Sequence, residues 1–332
     1  MVNPDIGSGK VLSINGIDVI EQDIADYSYQ LLEILLRDRT TGQNIIWASD
    51  DYSHLGQCYE ARKQMTPDLI IGSHTKLIQP RIAKTRSSQI DRTRDKAEVF
   101  TPAWICNAQN NLIDDAWFER QNVFNTPDGN TWNTTIEPIT FSKHKNQTWQ
   151  KYVDANRMEI ACGEAPYLVS RYDATTGCTI PLRDRIGLLD RKLRVVNENT
   201  SHEVEWLKWT TRAFQSIYAY EFQGDNLLLA RENLLYTFID NIRFKLHREP
   251  TLRELKAIAT VISWNLWQMD GMTFTIPYGK VRETSNQMTL FDFEYAGQPE
   301  PQDDAFSKLC QIKDWRSKVI LEYKSLVKET RR

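Results

Sequence analysis

The sequence predicts an α/β fold built on a parallel sheet, and three observations carry that prediction. Three short segments have strand character, at 157–162, 216–221 and 262–270. Helical periodicity fills the intervals between them. Each segment ends in small residues or an acid: Ala161-Cys162-Gly163, Glu221 and Asp270. Strand and helix alternating in this way mark parallel strands joined by crossover helices.

Residues 1–96 read as an N-terminal, partly helical extension that ends in a basic linker. Ile20, Ile24, Tyr27, Leu31 and Leu35 recur at steps of three and four, which predicts an amphipathic helix. "NIIWAS" at 44–49 has the composition of a short buried strand. The stretch 81–96 carries Arg81, Lys84, Arg86, Arg92, Arg94 and Lys96 against Asp91 and Asp95. Two readings fit it, a solvated connector or a phosphate-contacting stripe.

The second unit runs over 97–332. Phe100-Thr101-Pro102 precedes the apolar positions Ile105, Ala108, Leu112 and Ala116. This predicts a helix with Thr101 as N-cap and Pro102 in its first turn. Residues 120–150 are rich in Asn and Thr and read as an irregular insert. A second insert spans 171–212 and contains "DRIGLLDRKLRVV", either a lid, a substrate surface or an extra packing helix. After the strand at 216–221, Asp225 can cap a helix with Leu228, Leu235, Phe238, Ile239 and Ile242 on one face. Thr251 and Glu254 form a capping box for the next helix.

Composition narrows the class. A chain of 332 residues, 41% of them hydrophobic, can bury a full core. No apolar run approaches the roughly 20 residues of a membrane span, and no apolar stretch near the start suggests a signal peptide. Five scattered cysteines contain no C-x-x-C pair, which argues against a zinc ribbon or a disulfide framework. These features fit a cytoplasmic protein that does not contact membrane, and they predict no metal site. The net charge of −3 is not that of a chain that grips DNA through overall charge alone.

Ligands of open parallel sheets bind beyond the carboxyl ends of the strands. Small residues at 161–163 let a ligand approach the backbone. Glu221 is placed to accept ribose hydroxyls, and Asp270 to accept an adenine amine. The start of the helix after Thr101 suits a carboxylate. A nucleoside at one end and a carboxylate at the other describe S-adenosylmethionine (SAM).

On these residues the chain resembles the SAM-dependent adenine-N6 DNA methyltransferases of restriction–modification systems. Phe100-Thr101-Pro102 is similar to the motif that opens those enzymes. Glu159-Ile160-Ala161-Cys162-Gly163-Glu164-Ala165 resembles their Asp-Pro-Ala-Cys-Gly-Ser-Gly loop. "IYAYEFQGDNLLLARENLL" is similar to their ribose-binding segment, with Glu221 as the acid and Phe222 beside it. "LWQMDG" resembles their third strand, with Asp270 at the adenine edge. The likeness spans about 97–275. It implies a class I methyltransferase sheet, SAM as cofactor, and duplex DNA as substrate with the target base flipped out. It also implies partnership with a specificity or nuclease subunit.

The family's catalytic Asn/Asp-Pro-Pro-aromatic motif has no counterpart here. "FDFEYAGQPE" (291–300) falls at a fitting distance, with Gln298 as candidate acceptor for the target amine. "TIPY" (275–278) and "NTPD" (125–128) come near it in composition. Ala165 and Pro166 replace the family's second glycine region. Three other functions stay open at this point. One is a non-catalytic SAM- or DNA-binding subunit. Another is methylation of a protein or small molecule. The third is a metal-dependent nuclease using Asp314, Glu322 and Lys324.

Overall fold

The computed structural model describes residues 11–12, 16–96, 100–142, 147–279 and 308–327. Gln298 and the rest of 291–300 lie outside the described residues.

The chain is mixed α/β with a small parallel sheet. Three strands form it, β3 (Arg157–Glu159), β4 (Ile217–Glu221) and β5 (Leu266–Gln268), in the order β3-β4-β5. Glu159 pairs with Ala219, and Glu221 with Gln268. The carboxyl ends of the strands therefore sit side by side. The expected alternation is present between them: α5 (Leu188–Asn199) and α6 (Glu203–Gln215) lead to β4, and α7 (Gly224–Leu246) and α8 (Leu252–Asn265) lead to β5. Two further two-stranded units are antiparallel, β1 (Asn125–Asp128) with β2 (Thr131–Thr134), and β6 (Gln311–Lys313) with β7 (Ile320–Glu322).

Several expectations need correction. The segment 262–270 is mostly not strand, because α8 runs on to Asn265. Its capping box is formed, Thr251 with Glu254, and Leu255, Ile258, Ala259 and Ile262 continue its buried face. The insert at 120–150 contains the β1–β2 hairpin, turned at Gly129 with φ of 56°. It then runs into α4 (Trp149–Asp154), whose N-cap is Thr148. "NIIWAS" makes isolated bridges only, Arg37 with Asn44 and Ile46 with Gln64.

The boundary near residue 96 does not separate two cores. Helix α1 (Glu21–Leu36) packs along α8, and one apolar cluster runs from Leu12, Leu31 and Trp47 through to Leu235, Ile262 and Leu266. Helix α7 lies at its centre and is buried on nearly every side. Its Arg231 donates to the carbonyls of Leu35, Arg37 and Leu266, so one guanidinium ties α1 to the α8–β5 junction.

The basic stretch is not a free connector either. It contains α2 (Arg86–Lys96), and two of its cations turn inward onto α7. Lys84 lies 3.0 Å and Arg92 2.9 Å from the fully buried Asp225. Asp225 is inside the helix, and Gln223 holds the N-cap position. Two cations of "DRIGLLDRKLRVV" turn inward in the same way. Arg191 pairs with Asp114 at 2.6 Å, and Lys192 donates to the carbonyl of Ala155 and the hydroxyl of Ser216. That segment is a packing helix.

All five cysteines are free thiols. Among the described residues no helix is long and apolar enough to cross a membrane.

Candidate functional site

Past Glu159 the chain leaves the sheet in a tight turn. Ala161, Gly163 and Ala165 all take left-handed backbone angles, with φ of 48°, 53° and 62°. For each alanine this costs about 1–2 kcal/mol. The turn is held by its own N–H groups. Cys162 donates to the Tyr220 carbonyl at 2.9 Å, and Ala165 to the Cys162 carbonyl at 2.8 Å. Gly163 donates to Glu221 Oε2 at 2.8 Å. The Phe100 ring lies against Gly163.

Two buried acids organise this corner. Glu221 accepts from Gly163 through one oxygen and from the Gln223 N–H at 3.1 Å through the other. Glu159 accepts from the N–H groups of Tyr167 and Leu168 at 3.3 and 3.2 Å. Burial pushes the Glu159 carboxyl well above the ordinary range, against the pull of those two N–H groups, and the charge of Glu221 adds to the rise. Burial also raises Glu221, against its own backbone bonds.

A cleft of about 440 Å³ opens here, at the carboxyl ends of β3 and β4. Phe100, Thr101, Glu159, Ala161, Cys162, Gly163 and Glu221 all line it. Seven of the positions singled out from sequence thus come together, from three separated segments. Three others do not line it. Pro102 takes the N-cap position of α3 (Ala103–Phe118), displacing Thr101 from that role. Phe222 packs edge-on against Tyr278, ring centroids 5.5 Å apart. Asp270 lies two residues past β5 and caps its own turn, accepting from the Met272 N–H at 2.8 Å.

The start of α3 is also satisfied from within the chain. Asp173 Oδ2 accepts from the Ala103 N–H at 2.8 Å. Burial works against the Asp173 charge, but bonds from Thr175, Ala103 and Thr176 outweigh it and hold the carboxyl below its ordinary value.

Other lining residues are absent from the sequence-based set. Gln109, Asn110 and Ile113 come from one side of α3, and Tyr167 from the loop. Gln223 and Asn226 come from the start of α7. Their closeness in sequence to Thr101 and Glu221 was the available signal. Gln223 is itself held from behind, accepting from Arg92 at 2.6 Å.

The residues of the nuclease reading sit on the β6–β7 unit. Asp314 uses its carboxylate on its own turn, accepting from the Arg316 N–H at 2.9 Å and the Ser317 hydroxyl at 2.6 Å. Among the described residues no group of three or more His, Cys, Asp or Glu is arranged to hold a metal ion.

No protein-family model matches this chain, and neither a curated protein nor a solved structure matches it.

Proposed function

We propose that the protein is a SAM-dependent methyltransferase acting on nucleic acid, at adenine N6 of DNA, within a restriction–modification or defence system. One observation carries the reading. The Phe100-Thr101 corner, the 159–163 loop and Glu221 line a single cleft beyond the ends of two adjacent parallel strands, where open α/β sheets take ligands.

The residues present suit the cofactor. The cleft volume falls within the roughly 300–1,000 Å³ of small-molecule sites. Each Glu221 oxygen takes one backbone N–H and keeps acceptor capacity for a ribose hydroxyl. Ala161, Cys162 and Gly163 bring backbone to the cleft wall behind small side chains. Phe100 and Thr101 line the same cleft with Gln109 and Asn110, and would hold the amino-acid end of the cofactor. Bound SAM supplies an activated methyl group. The chain's part is to position it and to accept hydrogen bonds from the target amine, for which Gln298 is the proposed acceptor. The base would enter from a duplex by flipping.

Titration calorimetry with SAM, run beside tritium transfer from labelled SAM to DNA, RNA and lysate protein, tests this. We expect wild type to bind SAM and to label DNA. Glu221→Ala should weaken binding by about 1–3 kcal/mol, the range for a hydrogen bond to a charged group. No heat of binding for wild type would overturn the reading. Binding without transfer to any substrate would support a cofactor-binding subunit instead, as the missing Asn/Asp-Pro-Pro-aromatic motif favours.

A further inference from the structure

A second cavity, of about 280 Å³, lies beside the turn formed by residues 171–180. That turn is a short hairpin. Ile180 donates to the Arg171 carbonyl at 2.8 Å, and Asp173 to the Cys178 carbonyl at 2.9 Å. Arg171, Arg185 and Arg243 line the cavity with Asp240, Tyr172 and Thr179.

The guanidinium groups there are not fully used. The Arg171 and Arg185 side chains are only 6% and 9% exposed, so both charges are largely out of water. Arg185 Nη2 donates to Asp240 Oδ2 at 2.7 Å, while its Nη1 is buried without a partner. Arg171 Nη1 donates to Asn233 at 3.0 Å. Its Nε stands 3.9 Å from the same Asp240 oxygen, too far for a hydrogen bond, and is also buried without a partner. Asp240 is the carboxylate within 4 Å of both guanidinium groups, and Asp190 and Glu232 act on Arg185 and Arg171 from further away. Arg243 is matched by Glu249 at 2.8 Å and does not change the balance.

Buried donors in folded proteins are almost always paired, and an unpaired charged donor is costly. The guanidinium fork matches the oxygens of phosphate better than any other side chain does. We propose that this cavity binds a phosphate-class oxyanion through Arg171 and Arg185. The site is separate from the cleft at 159–163 and stands without the cofactor reading. The 171–180 hairpin also bonds to neighbours of cleft-lining residues, through Asp173 on the Ala103 N–H and through the Tyr172 hydroxyl on Glu164 at 2.5 Å. The anion belongs either to a nucleic-acid backbone or to a small phosphorylated compound.

The test is calorimetric titration of the full chain with inorganic phosphate, against chloride at matched ionic strength. Wild type should bind one phosphate. Arg185→Gln should weaken binding tenfold or more, and Asp240→Asn, which removes the competing carboxylate, should tighten it. SAM titration of the Arg185→Gln chain reads the other cleft independently. Absence of phosphate-specific heat in wild type overturns the proposal, as does unchanged affinity in Arg185→Gln. Should that variant not fold, Asp240→Asn decides, and a failure to tighten overturns the proposal. A short DNA duplex that competes with phosphate assigns the anion to a nucleic-acid backbone. A duplex that leaves phosphate affinity unchanged assigns it to a small phosphorylated compound.

Discussion

Glu21 and Glu232 are fully buried on facing helices, and none of their carboxylate oxygens accepts a bond from another residue. Burial pushes both well above the ordinary range, and like charges nearby raise them further. Burial likewise lifts the neighbouring Asp18 to about 6. A carboxyl whose folded-state pKa is raised gives stability that is complete below the unfolded value. That stability is lost as pH rises through the folded value. These three carboxyls should therefore cost the wild type stability as pH rises above the ordinary carboxyl range. Glu232→Gln cannot ionise and should resist that loss. We expect the variant to exceed wild type at pH 8, because only the carboxyl must ionise in the interior, with a smaller gap at pH 5. Urea titrations at the two pH values check this, and a gap independent of pH would refute it. The same kind of local reading explains which site residues were legible. Gly163 and Glu221 belong to recognisable short patterns. Asp173 does not, because it acts on Ala103 across 70 residues.

Helix α2 is docked by charge. Asp225 on α7 receives Lys84, Arg92 and the Tyr52 hydroxyl, all in the interior. Burial opposes the Asp225 charge, but Lys84 and Arg92 outweigh it and hold the carboxyl far below its usual range. A depressed acid stabilises the fold above its unfolded pKa, and that contribution is lost as pH falls through the folded value. Asp225→Asn removes the carboxylate that Lys84 and Arg92 share, while Arg92 keeps Asp51 at 2.6 Å, and breaking this buried cluster should cost about 3–5 kcal/mol. Chemical denaturation at pH 7 would show it, and the deficit should shrink in acid. A loss under 1 kcal/mol would mean that water reaches the cluster. From sequence alone the 81–96 run offered no means of telling these inward cations from solvated ones, since Asp225 lies 141 residues from Lys84 and 133 from Arg92. The β1–β2 hairpin, by contrast, had a local signal. Gly129-Asn130, the two residues between the paired Asp128 and Thr131, is a recognised two-residue hairpin turn pair, masked here by Pro127 and the polar run around it. Helix α8 outran its expected end because Trp264 and Asn265 read equally well as helix or strand when the apolar run is short.

The larger of the two apolar clusters among the described residues joins residues before 96 to those after. Leu32 on α1 is fully buried against that core. Leu32→Ala should cost about 2–5 kcal/mol. The loss should be read equally by amides of α1, α8 and β4, because all three share the same packed interior. Native-state hydrogen exchange would show this. Loss of protection confined to α1 would instead mean that the leading segment unfolds on its own.

Local physics was enough to read the alternation of strand and helix from β3 to β5, the capping box of α8 and the small residues and acid at the ends of β3 and β4. Each depends on neighbours within a few positions. Long-range pairing settled which charges are buried, where Asp270 and Phe222 face and which carboxylate caps α3. A side chain's partner across the fold is set by how helices stack in three dimensions, and no short window of residues records that stacking.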